Sequence, residues 1–209
     1  MSVEIRARTT ADLPALVDLL WDQQPESSYP LRNPLPMPTT TFLHADDADA
    51  AWTATIDGRP AGHVCRTTGH PDPAVERTCA EAHACAVDEL GWVSTLYVGR
   101  GARGLGLGRR LLGTAVADLR AAGRRPCLEV YPARPAAMGL YTSDGWREVM
   151  RTRPEWLRAV RGDEGPDARV LVLLDPPRVS ARQSVQAAQR ATKTATLRAG
   201  TVKLPARPS

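Results

Sequence analysis

The sequence has no apolar run approaching the roughly 18 residues that a membrane-spanning helix needs. The first ten residues, MSVEIRARTT, also lack the apolar core of a signal peptide, so we expect neither export nor a membrane partner. Cysteine is scarce as well, because Cys65, Cys79, Cys85 and Cys127 are too few and too scattered to form a disulfide framework. These absences together predict a cytoplasmic protein.

Lysine is absent before Lys193, and acidic residues are absent from residues 178–209. That last segment carries seven basic side chains, so the remaining residues hold 20 basic against 23 acidic groups. Seven charges without an aromatic residue for base stacking would bind nucleic acid only weakly, so nucleic acid is not an expected partner. We predict one domain over residues 1–177 and a disordered basic tail over 178–209.

The domain has enough apolar residues, 43% of the whole chain, to build a core. Apolar and polar residues alternate over Val3–Ala7, which predicts a strand. Thr9-x-x-Asp12 then resembles a capping box at the start of a helix. The dipeptide Asp57-Gly58 predicts a hairpin between two strands. The segment Pro25–Pro38 is expected to be a long loop or a broken helix, and Thr67–Gly91 a second long insertion.

The most informative segment is Trp92–Gly123, where a buried strand leads through a glycine-rich turn into an amphipathic helix. Glycines let the main chain approach a ligand without a Cβ in the way. The helix points its unpaired N–H groups and its positive dipole end into the same turn. A further strand over Pro126–Tyr131 completes a parallel strand–helix–strand unit. This arrangement predicts a ligand that carries phosphate groups.

Two other interpretations of the turn have to be weighed. Gly99-x-Gly101-x-x-Gly104, with Glu129 on the next strand, matches the dinucleotide-binding pattern. However, too few residues follow Tyr131 for the remaining strand–helix repeats of that fold, and the final two strands leave no room for a crossover helix. Glu129 is then a structural residue that faces a neighbouring strand or solvent. The glycines alone are equally compatible with a merely flexible turn.

Two blocks of residues favour a different assignment. Arg103–Gly108 has the form R-x-x-G-x-G and enters an apolar helix, while Leu128–Pro132 is followed by Leu140-Tyr141-x-x-x-Gly145-Trp146. In this order and spacing, the blocks resemble the GNAT superfamily of N-acetyltransferases. The resemblance implies an α/β (α+β) fold with a mixed, mostly antiparallel central sheet flanked by helices. It also implies a parallel strand–helix–strand cofactor unit with a splayed fourth and fifth strand.

The resemblance implies an enzyme that uses acetyl-CoA as a co-substrate and no metal. The acetyl group would pass directly to a primary amine of a small-molecule or peptide acceptor through a tetrahedral intermediate. Strand backbone would bind the pantetheine arm, turn amides would bind the pyrophosphate, and Arg109 would add positive charge, with Arg110 a weaker candidate. The implied cofactor-binding residues are Leu96, Tyr97, Val98, Arg103, Gly104, Leu105, Gly106, Leu107, Gly108 and Arg109.

The resemblance implies the catalytic residues less directly than it implies the cofactor-binding residues. Tyr141 matches the family tyrosine that faces the thioester sulfur and is expected to be the general acid, the alternative being a packing role. Trp92 stands where many relatives carry a basic carboxylate, so Glu89 becomes the first candidate for the general base. Glu81 and His83 are further candidates, and a base acting through water stays possible.

Other residues give weaker signals. His70, Cys79, His83 and Cys85 lack the short spacing of a zinc site, so no metal is predicted. Arg134 stands where relatives often carry an asparagine that contacts the cofactor, and an arginine there could approach a phosphate instead.

The acceptor would bind between the segments Pro25–Pro38 and Thr67–Gly91. A mild preference for a cationic amine comes from the acidic side chains of the second segment. A non-catalytic acyl-CoA-binding module, sensory or regulatory, is the alternative function, and a homodimer is left open. The acidic residues in question are Asp72, Glu76, Glu81, Asp88 and Glu89.

Overall fold

Seven strands form a single sheet in a computed structural model that describes residues 1–43, 48–132 and 135–175. The strands are β1 (Val3–Ala7), β2 (Ala48–Ile56), β3 (Arg59–Thr67), β4 (Leu90–Val98), β5 (Arg125–Val130), β6 (Arg147–Thr152) and β7 (Ala168–Val172). The helices are α1 (Leu13–Ser27), α2 (Thr39–Leu43), α3 (Pro73–His83), α4 (Leu107–Ala121), α5 (Pro135–Ser143) and α6 (Glu155–Arg161).

The strands lie in the order β1-β2-β3-β4-β5-β7-β6. Five of the six neighbouring pairs are antiparallel, and β4 with β5 is the parallel pair. The connection from β4 to β5 runs through α4, as a parallel crossover requires. The predicted mixed, mostly antiparallel sheet with one parallel unit is therefore confirmed.

Met1–Leu174 forms one compact unit, and only Asp175 of the second unit, Asp175–Ser209, is described. The predicted tail over residues 178–209 and the candidate Arg134 lie outside the described residues. None of the helices in the described ranges is both long and apolar enough to cross a membrane.

Helix α4 supplies the main apolar layer on one face of the sheet. It packs against β2–β5, and Gly91 of β4 allows the close approach, since a Cβ at this position would lie 2.3 Å from a methyl group of Leu119. The helix ends at Ala121 with Ala122 as its C-cap, and Gly123 follows with the positive φ of 73° that favours glycine. Its buried residues are Leu107, Leu111, Leu112, Ala115, Val116 and Leu119.

The opposite face of the sheet differs from the sequence-based expectation. The segment Thr67–Gly91 is not irregular throughout, because it contains α3. The helix begins where Asp72 accepts a hydrogen bond from Ala74 N at 2.8 Å and Pro73 occupies the first position, a combination typical of helix starts. The connection between β6 and β7 likewise contains α6, and α1 continues past Pro25 to Ser27.

Asp12 joins β1, β2 and the start of α1. Its carboxylate accepts two hydrogen bonds from the Arg6 guanidinium, at 2.7 and 2.6 Å, and one from Thr9 N at 2.8 Å, which realises the predicted capping box. The Thr53 hydroxyl of β2 donates a fourth, at 3.2 Å. These contacts, the Arg6 pair above all, hold the pKa of the buried Asp12 well below its ordinary value.

We predict that Asp12→Asn lowers the free energy of unfolding by about 2 kcal/mol at pH 7, because it leaves the Arg6 guanidinium without its charged partner. The Asp12 pKa is lower in the folded than in the unfolded chain, so its stabilisation is present above about pH 4 and is lost as the pH falls. Urea unfolding from pH 3 to pH 8 measures the difference. The exposed Asp18 of α1 provides the control substitution Asp18→Asn, and equal stability of both variants at pH 7 would contradict the prediction.

Candidate functional site

A cavity of about 960 Å³ opens where β4 and β5 separate. The two strands pair at Leu90↔Arg125, Gly91↔Pro126 and Trp92↔Cys127, and no pairing follows in the described part of either strand. Beyond Trp92, the edge of β4 that faces β5 therefore offers unpaired backbone groups to the cavity. Residues 93–98 of β4 line this cavity from one side, and residues 128–130 of β5 with the following Tyr131 line it from the other.

A β-bulge at Thr95 shapes the β4 wall. One residue of β3, Val64, faces two of β4, because the register shifts between His63 and Cys65. Thr95 has φ of 45°, a left-handed conformation that is strained for a β-branched residue. Its carbonyl oxygen lies 3.0 Å from Nδ1 of the fully buried His63. The bulge thus redirects the backbone at Thr95 and Leu96, as bulges near sites commonly do.

The glycine-rich turn lies at one end of the cavity. Gly104 and Gly106 have φ of 79° and 74°, so both need the left-handed conformation. The first helical hydrogen bond of α4 runs from Arg110 N to Gly106 O at 3.2 Å. The N–H groups of residues 106–109 consequently have no acceptor within the helix and form a potential anion site. Arg103 and Gly108 line the cavity itself.

The arginine side chains of the turn form ion pairs and hydrogen bonds with α1 and with the end of α5. Arg103 forms an ion pair with Glu26 of α1 at 2.8 Å, and Arg100 pairs with the same carboxylate at 2.6 Å. The Arg109 guanidinium donates hydrogen bonds to Asp144 at 2.8 Å and to Ser143 at 2.7 Å, at the end of α5. Arg109 therefore fixes α4 to α5, and its side chain does not line the cavity.

Tyr141 of α5 lines the cavity and is 8% exposed. Its ring contacts Trp146 edge-on at a centroid distance of 6.1 Å. Burial raises the pKa of its hydroxyl to about 12, so the group is protonated at neutral pH and can donate a proton. No hydrogen-bond partner of the hydroxyl is found among the described residues, which leaves it available to a ligand.

Glu129 of β5 also lines the cavity, and sequence reasoning had assigned it only a structural role. Its Oε2 lies 3.0 Å from Nε2 of His70, whereas its Oε1 is buried and has no hydrogen-bond partner within the described ranges. An unpartnered carboxylate oxygen in a cavity wall is costly unless a ligand or solvent meets it. The other carboxylate among the described lining residues, Glu26, is already paired with two arginines.

The structure does not bring the sequence-predicted base candidates to Tyr141. Glu89 is exposed at the far end of β4, seven residues before Leu96, and accepts a hydrogen bond from Ala86 N at 3.2 Å. Glu81 is exposed on α3, and Nε2 of His83 lies 3.2 Å from Pro126 O. None of these three residues lines the cavity, and Trp92 is buried outside it.

The residues weighed for a metal site are dispersed. Nε2 of His70 lies next to Glu129, Cys79 is buried, and Cys85 is partly buried. In the chain as far as it is described, no group of three or more His, Cys, Asp or Glu side chains could hold a metal ion.

Comparison with known proteins identifies the family of the chain. Residues 13–146, well over half of the chain, match the family model described as acetyltransferase (GNAT) family. The chain belongs to the GNAT acetyltransferase family. No curated protein matches it closely enough to serve as a relative.

Several solved GNAT structures are similar to the chain. The ribosomal-protein-S18-alanine N-acetyltransferase of Escherichia coli has a TM-score of 0.56 at 19% identity, over 85% of this chain and 97% of its own. An N-acetyltransferase of Staphylococcus aureus Mu50 has a TM-score of 0.60 at 14% identity, over 82% and 97%. A GNAT-family acetyltransferase of Streptococcus pneumoniae reaches 0.56 at 21% identity, over 82% and 98%. At these identities the likeness shows the fold alone.

GNAT acetyltransferases use acetyl-CoA, and two features of this site fit that ligand. The free amides of the α4 first turn suit a pyrophosphate, because helix N-termini bind anions. The unpaired edge of β4 beyond Trp92 suits an extended arm that carries amide groups, as in the pantetheine part of CoA. A Cβ on Gly106 would meet no protein atom within 4 Å, so the space in front of this glycine is open.

We predict that Gly108→Asp reduces acetyl-CoA affinity at least about tenfold, an effect of 1.4 kcal/mol, by placing a negative charge among the turn amides. Folding should survive, because an acidic residue in the first turn of a helix is stabilising by about 0.3–1 kcal/mol. Isothermal titration calorimetry measures the affinity.

Two control variants show whether the loss of acetyl-CoA affinity comes from the charge of the new side chain, from its size or from its position. Gly108→Asn adds a side chain of the same size without charge, and Gly113→Asp adds the charge about one and a half turns further along α4, where a Cβ has open space. Unchanged affinity in Gly108→Asp would exclude the α4 amides as the phosphate site.

Proposed function

We propose that the protein is an acetyl-CoA-dependent N-acetyltransferase that acts on a primary amine by direct transfer. The observation that carries the proposal is the presence of two opposite proton-transfer groups in one cavity wall, the protonated Tyr141 and Glu129, whose Oε1 has no partner among the described residues. Acetyl-CoA supplies the acetyl thioester. The chain supplies the anion site, the open strand edge and the two proton-transfer groups.

Glu129 is proposed as the general base. A primary amine with a pKa near 10.4 is only about 0.04% neutral at pH 7, so its attack requires a proton acceptor. Glu129 lines the cavity, its Oε1 has no hydrogen-bond partner among the described residues, and its carboxylate can accept the ammonium proton directly or through one water molecule. This assignment replaces Glu89, whose carboxylate lies at the other end of β4.

Tyr141 is proposed as the general acid. When the new N–C bond forms and the C–S bond breaks, the leaving sulfur carries a negative charge that a proton donor neutralises. Tyr141 of α5 lines the same cavity as Gly108 and Val98, which belong to the proposed cofactor side. The bulged backbone at Thr95 and Leu96 lies on the same wall and offers N–H groups to the oxygen that becomes charged during attack.

The acceptor is proposed to be an amine carried on an apolar body. The acidic residues behind the expected cationic preference lie in Thr67–Gly91, and none of them lines the cavity. Glu129 is then the one carboxylate available to an ammonium group among the described lining residues. The wall on the acceptor side is mostly apolar or aromatic and also includes Ser27, Ser28 and Arg32. Its apolar and aromatic residues are Tyr29, Pro30, Leu31, Leu35, Pro36, Met37, Phe42 and Trp156.

Thiol release from acetyl-CoA across a panel of amines tests the function. We expect turnover with phenethylamine in preference to spermidine, and a strong loss of kcat in Tyr141→Phe with little change in acetyl-CoA affinity. Phenylalanine retains the contact with Trp146 and removes only the proton donor. Tyr29→Phe, at another tyrosine of the cavity wall, is the control. Tight binding of acetyl-CoA without turnover on any amine would instead favour an acyl-CoA-binding module.

We predict that Glu129→Gln lowers kcat/KM roughly 10²–10⁴-fold, the range for loss of a general base. The loss should shrink for an acceptor amine that is already neutral at the assay pH, since this amine has no proton to lose before attack. Steady-state kinetics with amines of graded pKa measure both effects. Glu89→Gln is the matched control and should keep full activity. Loss of activity in Glu89→Gln, with none in Glu129→Gln, would reverse the assignment.

A further inference from the structure

His70 is the partner of the carboxylate proposed as the base, although the two residues are 59 positions apart in the sequence. The ring is almost buried, with 9% of the side chain exposed, and it packs against Trp92 at a centroid distance of 4.6 Å. Its Nε2 lies 3.0 Å from Oε2 of Glu129. The contact leaves the second carboxylate oxygen, Oε1, without a partner in the described part of the chain.

The hydrogen bond at the other ring nitrogen, Nδ1, determines which nitrogen of the neutral imidazole carries the proton. Asp72 N donates a hydrogen bond to Nδ1 of His70 at 3.1 Å, so Nδ1 is an acceptor. A hydrogen on Nδ1 would point at the Asp72 N–H group, which excludes this tautomer while the loop keeps its conformation. The single proton of the neutral ring therefore sits on Nε2 and is directed at Glu129.

The segment around His70 is held by the first turn of α3. Asp72 caps this helix through Ala74 N at 2.8 Å, and Glu76 of the same turn accepts a hydrogen bond from His70 N at 3.0 Å. Trp92 supports one face of the ring. Hydrogen bonds at the backbone N–H and at Nδ1 of His70 consequently fix the position of the imidazole, and its Nε2 remains available to donate to Glu129.

From this geometry we propose that His70 is a positioning residue for Glu129. Its Nε2–H group donates to Oε2 and holds the carboxylate in the cavity wall, which leaves Oε1 as the oxygen that can accept the proton of the acceptor amine. His70 does not contact the acceptor and exchanges no proton with it. The inference rests on the proposed role of Glu129 as the base.

Two substitutions at His70 distinguish positioning from support of the loop. In His70→Gln, the side-chain amide nitrogen lies near the former Nε2 and can still donate to Glu129, but the acceptor for Asp72 N is lost. In His70→Asn, the side-chain oxygen lies near the former Nδ1 and can still accept from Asp72 N, but the donor to Glu129 is lost. The two variants thus each keep one of the two hydrogen bonds.

We expect His70→Gln to retain most of kcat and His70→Asn to lose at least about tenfold in kcat with acetyl-CoA affinity unchanged, an effect of 1.4 kcal/mol on the barrier. In the Glu129→Gln background, His70→Asn should cause no further loss, because it acts through that carboxylate. Retained kcat in His70→Asn together with loss in His70→Gln would overturn the proposal in favour of loop support.

A spectroscopic measurement keeps this test separate from the test of activity. The ¹⁵N shifts of the His70 ring should show Nε2 protonated and Nδ1 unprotonated at neutral pH in the wild type, whether or not an amine is turned over. The opposite tautomer would overturn the positioning role. If the tautomer is as expected, Glu129→Gln removes activity, and His70→Asn is fully active, the positioning role fails while the acetyltransferase function stands.

Discussion

The hydrogen-bonded pairing of β4 with β5 stops after three residue pairs, and the rest of the site depends on that interruption. Up to Trp92, the two strands form an ordinary parallel ladder. Beyond it, β5 continues to pair with β7 on its other side, through Glu129↔Val170 and Val130↔Arg169, so β5 stays in the sheet while its other edge is released. A gap through the sheet follows, and it places side chains from both faces around one cavity.

The bulge in β4 keeps the open edge in one conformation. A threonine at φ of 45° is strained, and strain of this kind persists only where the surroundings hold it. Here the Thr95 carbonyl accepts from Nδ1–H of His63, whose Nε2 lies 3.2 Å from the Arg8 guanidinium. Burial lowers the pKa of His63 to about 4, so the ring is neutral at physiological pH and keeps both roles.

The glycine-rich turn and its place in the fold could be predicted from the sequence because their signals are local. Arg103–Gly108 lies within six residues, and the crossover from β4 to β5 brings the turn to the strand end without any long-range information. The proton acceptor could not be found in this way. The contact between His70 and Glu129 requires the register of β5 and the position of the loop before α3, and neither follows from spacing. The start of α3 at Asp72-Pro73 was a local signal that could have been recognised.

The position of Trp92 explains why the proposed general base is a carboxylate on β5 and not one on β4. A base at the position of Trp92 would lie on the last residue of β4 that still pairs with β5. The indole instead packs against the imidazole of His70, which is buried and reaches across to β5. The tryptophan thus supports the contact that fixes Glu129. Under the proposed function, the role of a carboxylate at position 92 is therefore distributed over an aromatic residue on one strand, a histidine before α3 and a glutamate on the opposite wall of the gap.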